Sequence, residues 1–167
     1  KRQNLDKVLN FKQIDAMANE ISNKNYYDIV IMHTLISHVP DPKIVLTNAM
    51  KYIKKSGKII IFDADYETLL MSSGDKKLDD IVNNAIKKGC VAQPKVMREI
   101  PKIAKGLDLN LINYQANLLF EAGEADFFYG MGKALSTAVV KSKQLDEIVA
   151  KQWISKLEKS IKQQTFF

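Results

Sequence analysis

The stretch YDIVIMHTLISHVPDP, residues 27–42, decides the fold class. Ile29 to Met32 is a near-continuous apolar run, the mark of a strand covered on both faces. It delivers His33, and His38 follows five places later, before the chain turns at Pro40-Asp41-Pro42. Asp41 has the chemistry of a helix N-cap and Pro42 the fixed φ of a first helical position. A helix is expected from there, with Gly57 just past its end. Leu46, Ala49, Met50 and Ile53 fall on one face of it, and Lys54 and Lys55 suit the negative end of its dipole. Lys58-Ile59-Ile60-Ile61-Phe62 then reads as a second buried strand, running into Asp63-Ala64-Asp65. Strand, helix and strand in this order form a βαβ unit, which requires a parallel sheet.

Working outward, residues 8–16 (VLNFKQIDA) read as a short strand, with Val8, Phe11 and Ile14 apolar and Asp15 at its end. Leu78, Ile81, Val82 and Ala85 define a helix that Gly89 closes. Pro94 opens another, with Val96, Ile100 and Ile103 inward and Gly106 at the stop. Residues 109–120 alternate: Ile112, Tyr114, Ala116, Leu118 and Phe120 against Asn113, Gln115 and Asn117. That pattern predicts a strand with one wetter face. Two more helices are expected, near 124–140 and 144–163. The class is therefore α/β, and ligands of such sheets sit beyond the carboxyl ends of the strands. Asp15, His33, the 34–38 loop and Asp63 to Tyr66 stand at those ends, so three strand ends are expected to converge on one crevice.

Composition bounds the function. The 167 residues, 46% hydrophobic and 26% charged, suffice for one core and one domain. No apolar run reaches the roughly 20 residues of a membrane span, and KRQNLDKV has no secretory h-region. Cys90 is the only cysteine, which excludes an internal disulfide and fits a reducing, cytoplasmic setting. The net charge of +6 is dispersed over many lysines, so solvated helix faces are the main reading and a nucleic-acid footprint the minor one. His33, His38 and Asp41 lack a metal-ligand spacing, and no GxSxG elbow accompanies Ser37-His38. Cys90 reads as a small buried residue more readily than as a nucleophile.

FKQIDA, YDIVIMHTLISHVPDP and YIKKSGKIIIFDADY, in that order, resemble successive motifs of class I S-adenosylmethionine-dependent methyltransferases, most nearly the ubiquinone/menaquinone-biosynthesis group. QPKVMREIPKIAKGLDLNLI resembles the helix and strand that follow in that group. The resemblance spans most of residues 8–120 and runs more loosely to Phe167. It implies a Rossmann-like methyltransferase fold, a mostly parallel sheet with flanking helices and helical insertions. Residues 8–66 would be its core part, 67–107 a helical insertion and helix, 108–121 a strand, and 122–164 a helical cover. The family's Gly-rich turn and first two strands have no counterpart here. Gly130-Met131-Gly132 follows the helical stretch EADFFY and does not supply that turn. Such a sheet would have a gap and open edges, so the expectation is a partial chain, with further residues before Lys1 and after Phe167.

The resemblance implies S-adenosyl-L-methionine as cofactor and no metal. It aligns Asp15 and Ala16 with the adenine-reading acid and its neighbour; a helix N-cap is the even alternative for Asp15. His33 and Thr34 align with the strand end that meets the methionine part of the cofactor, and His33 could instead cap the strand. His38 aligns with a histidine able to orient or deprotonate an acceptor, against a structural bridge across the loop, which is favoured. Asp63, Asp65 and Tyr66 fall beside the acceptor, where a carboxylate or ring also suits a sulfonium; capping of a helix near Glu67 competes for Asp65. Arg98 aligns with an arginine able to hold an anionic substrate, or it is a solvated first-turn residue. The expected activity is methyl transfer to a small-molecule acceptor, with a homodimer open to the chain. A non-catalytic module for binding or oligomerisation, or an RNA acceptor, are the alternatives.

Overall fold

The computed structural model describes residues 9–18 and 24–166. Two strands, β1 (Tyr27–His33) and β2 (Ile53–Phe62), pair in parallel through Ile29↔Lys58, Ile31↔Ile60 and His33↔Phe62, with α1 (Pro42–Tyr52) between them. The expected βαβ unit is formed. The Asp41 carboxylate accepts from the amides of Lys43 and Ile44 at 2.9 and 3.3 Å, and Pro42 opens the helix. Asp41→Ala orphans those two amides and is expected to cost about 1 kcal/mol. A lowered urea midpoint with an unchanged slope would show it.

Three expectations about elements are corrected. Helix α1 stops at Tyr52, five residues before Gly57, because Ile53 is already extended (φ −84, ψ 144). Lys54 and Lys55 therefore belong to β2, and Lys54 Nζ binds both oxygens of Asp28 on β1 at 2.8 and 2.9 Å. The ladder jumps from Tyr27↔Ile53 to Ile29↔Lys58, so Lys54 to Gly57 bulge out of register. Second, residues 9–16 form no strand; Val8 lies outside the described residues. Asp15 instead starts a turn, its side chain accepting from Met17 N at 2.8 Å and its carbonyl from Ala18 N at 3.0 Å. Asn48 of α1 fixes that turn by donating to the carbonyls of Ala16 and Ala18. Third, residues 109–120 are not a strand. Alternation gives a strand only where a neighbour completes the ladder, and neither β1 nor β2 pairs with this segment. Residues 111–120 are all exposed, Leu118 to 91%.

The remaining helices follow the apolar spacing: α2 (Lys76–Gly89), α3 (Val96–Gly106), α4 (Asp126–Lys141) and α5 (Glu147–Lys162). Two apolar clusters result, with no buried residue in common. One joins Met32 of β1 to Val45, Leu46 and Ala49 of α1 and to Val96 and Ile100 of α3. The other gathers Val82 and Ile86 of α2, Phe128 and Val139 of α4, and Trp153 and Leu157 of α5. Gly132 lies inside α4 where an added Cβ would stand 3.1 Å from Leu157 and 3.2 Å from Trp153. Its absence of a side chain lets α4 and α5 approach, and the Gly130-Met131-Gly132 run is helix rather than loop. The sheet is covered on one face only among the described residues. Ile29, Ile31, Ile60 and Phe62 share the other face and are exposed, so the expectation of strands buried on both sides is corrected. Among the described residues no helix is long and apolar enough to cross a membrane.

Candidate active site at the strand ends

Parallel pairing sets the carboxyl ends of β1 and β2 side by side, at His33 and Phe62. The two rings stack, with centroids 5.0 Å apart and planes 24° from parallel, and both are exposed. Thr34 follows with φ 49, a left-handed backbone that a β-branched residue adopts only under constraint. The constraint is visible: its amide donates to Phe62 O at 2.8 Å, and its Oγ1 lies 3.0 Å from His33 Nδ1. Together with Ile31 and Ile60, one pair back along the same face, the rings form an open apolar and aromatic wall.

The chain then makes one 3₁₀ turn, Ile36–His38. Ile36 and Ser37 are fully buried, which turns His38 outward. Opposite, the loop after β2 carries Asp63, Asp65 and Tyr66. Asp63 accepts from Ser37 N, Ser37 Oγ and Ala64 N at 2.9, 2.9 and 2.8 Å, so its carboxylate ties the two strand-end loops together. His38 meets the Tyr66 ring edge-on at a centroid distance of 6.0 Å. Asp65 accepts from Glu67 N at 3.2 Å, capping the short Tyr66–Thr68 turn, and takes Arg98 Nε at 2.6 Å on its other oxygen. That pairing raises the Arg98 pKa further. Tyr114 donates to Met97 O at 2.8 Å, beside Arg98.

The structure thus brings His38, Asp63, Asp65, Tyr66 and Arg98 into one rim, and His33 and Thr34 onto the adjoining wall. Asp15 and Ala16 lie in the turn held by Asn48. Among the described residues no hydrogen bond joins them to the other site positions. The strand ends at the rim are those of β1 and β2, and Asp15 stands in a turn rather than at a third strand end. Ser37 and Asn48, both buried, are the organising polar residues that sequence reading passes over. Their signal was weak: each is a small polar residue with a polar neighbour, His38 beside Ser37 and Thr47 beside Asn48, and so reads as solvated.

Burial, followed by the Asp63 carboxylate and by Cys90, pushes the Tyr66 phenol above its ordinary 10.0. Burial likewise pushes the Cys90 thiol up, which disfavours the nucleophilic thiolate. Unfolded Tyr66 loses its proton at pH values where the folded form keeps it. Its contribution to stability is therefore fully present below pH 10 and lost as pH rises through the elevated folded value. Urea midpoints measured between about pH 9 and 11 are expected to fall in the wild type and to fall less steeply in Tyr66→Phe.

Residues 1–61, less than half of the chain, match a family model described as a methyltransferase domain. The match takes in β1, α1 and β2 up to Ile61. No curated protein matches the chain. The match supports methyl transfer as the general activity.

Proposed function

We propose that this chain takes part in S-adenosylmethionine-dependent methyl transfer to a small-molecule acceptor. One observation carries the reading: the segment matched by the methyltransferase domain folds as a parallel βαβ unit whose adjacent strand ends bear an aromatic wall and a polar rim. The residues suit the cofactor chemically. His33 and Phe62 offer ring faces to a nucleoside or a sulfonium, Thr34 a hydroxyl, and Ala16 its backbone. Asp15 commits one oxygen to Met17 and keeps the second for a purine amino group.

When bound, the cofactor supplies an electrophilic methyl. The protein's part is to position the acceptor and exclude water, which needs few acid–base groups. His38, turned outward on the rim, orients the acceptor and takes its proton. Tyr66 and the Asp63–Asp65 loop form the acceptor side. Arg98, fixed at Nε by Asp65, presents its terminal nitrogens to an anionic group of the acceptor.

Calorimetry of the full chain with S-adenosylmethionine tests the reading; saturable heat is expected, and its absence turns the assignment toward a non-catalytic module. Incubation of a small-molecule extract with methyl-labelled donor identifies the acceptor. Arg98→Ala should then raise KM about tenfold, the loss of one charge-assisted contact, with donor affinity unchanged. An equal loss of donor affinity would remove Arg98 from the acceptor side.

A further inference from the structure

Pro101 sits inside α3, where it has no N–H to give to the carbonyl four residues back, that of Met97. A proline ring also crowds that carbonyl and pushes it away from the helix ladder. The structure supplies another donor: the Tyr114 hydroxyl reaches Met97 O at 2.8 Å. The backbone explains how a residue beyond the helix arrives there. Helix α3 ends at Gly106, Asp108 takes a left-handed turn (φ 56), and the Leu109 amide bonds back to Ala104 O at 2.9 Å. The chain then returns alongside α3. From Ala104 back to Met97 a helix spans about 10 Å, and extended chain from Leu109 to Tyr114 reaches about 16 Å. The far end is fixed as well, where Gly123 (φ 74) donates to Phe166 O at 3.0 Å.

We propose that residues 111–120 are a strap over the Arg98 end of the rim, with Tyr114 as its latch, closing on the carbonyl that Pro101 leaves open. The geometry stands without the methyl-transfer reading; the acceptor-binding role of the covered guanidinium rests on it. The strap is exposed and pairs with neither β1 nor β2, so no ladder holds it shut. The Tyr114–Met97 bond is exposed too, so water competes for both partners and the latch opens at small cost. Met97 O belongs to the peptide that ends in the Arg98 amide, and Asp65 ties Arg98 at Nε, so the latch closes one peptide from the rim. Residues 109–120 carry no charged side chain. Glu121, the next carboxylate, is committed to the amides of Phe127 and Phe128 at 3.4 and 2.9 Å. The shut strap therefore brings no rival carboxylate to the terminal nitrogens of Arg98.

NMR of the full chain, labelled with ¹³C and ¹⁵N, tests the latch with no methyl donor present. In Tyr114→Phe the Met97 carbonyl carbon should move upfield as it loses its donor. The ¹⁵N order parameters of residues 111–120 should fall while those of β1 and α1 stay high. In Pro101→Ala the restored amide draws Met97 O back into the helix ladder, so the strap should loosen even as α3 gains helix propensity. An unmoved carbonyl with unmoved order parameters in Tyr114→Phe overturns the latch. A strap that stays rigid in Pro101→Ala overturns the part given to Pro101. Once an acceptor is found, Tyr114→Phe should raise its KM about fivefold with donor affinity unchanged, the loss of one hydrogen bond. An unchanged KM beside a loosened strap overturns its place on the acceptor side. A wild type that binds no S-adenosylmethionine, while the strap loosens in Tyr114→Phe, sinks the methyl-transfer reading and leaves the latch standing.

Discussion

Trp153→Ala is expected to lower stability by about 3–5 kcal/mol, a drop in thermal midpoint on the order of 10 °C. Trp153 is fully buried at the centre of the α2–α4–α5 cluster, and its ring lies where Gly132 lets α4 approach. Its indole Nε1 also donates to Asp79 at 2.8 Å. Asp79 is itself buried and gathers Ser72 Oγ, Ser73 N and Ser73 Oγ, at 3.1, 2.9 and 2.6 Å, so this carboxylate fastens the 71–75 loop and α5 onto α2. Truncation therefore leaves a cavity and withdraws one donor from a buried charge. Trp153→Phe goes part of the way to separating the two effects, because it keeps a six-membered ring in the core while losing the N–H and the rest of the indole. Its cost should be about 1–3 kcal/mol. Thermal melts followed by circular dichroism would read both. An alanine variant as stable as the phenylalanine one would mean that packing around Trp153 contributes little.

Gly57→Ala is expected to cost about 1–3 kcal/mol through overpacking. The added Cβ would fall 2.3 Å from Ile53 Cγ1 and 2.8 Å from the backbone oxygen of Asp28. The isoleucine can change rotamer. The carbonyl cannot move without disturbing β1 where the ladder changes register between Tyr27 and Ile29. The substitution should therefore speed amide exchange in Ile29 to Met32 as well as lower the urea midpoint. Unchanged exchange with wild-type stability would show that Gly57 does not fix the irregularity.

How much of this was legible depended on whether the signal was local. The Asp41-Pro42 cap, the apolar runs of β1 and of Lys58 to Phe62, and the spacing in α2, α3, α4 and α5 are local properties, and each element formed where its residues indicated. The end of α1 was not legible, because Ile53 continues the apolar face of a helix while Lys54 finds Asp28 on a strand distant in sequence. Residues 109–120 carry the period of a strand, but a period cannot supply a partner. In the site, the meeting of His38 with Tyr66 followed from placing both loops at neighbouring strand ends, whereas the pairing of Asp65 with Arg98 on α3 joins residues distant in sequence and carried no local signal. Ser37 was hidden for a different reason. A hydroxyl in a polar turn reads as solvated, and only the burial of Ile36 beside it turns that hydroxyl inward.

The two apolar clusters have no side chain in common, and the segment between α2 and α3 is stitched to the first of them at few points, such as Gln93 N to Ser37 O and Gln93 Nε2 to Pro40 O. Substitutions within the α2–α4–α5 assembly can thus be absorbed there while the loops at the strand tips keep their arrangement, so the two halves of the molecule are free to drift at different rates.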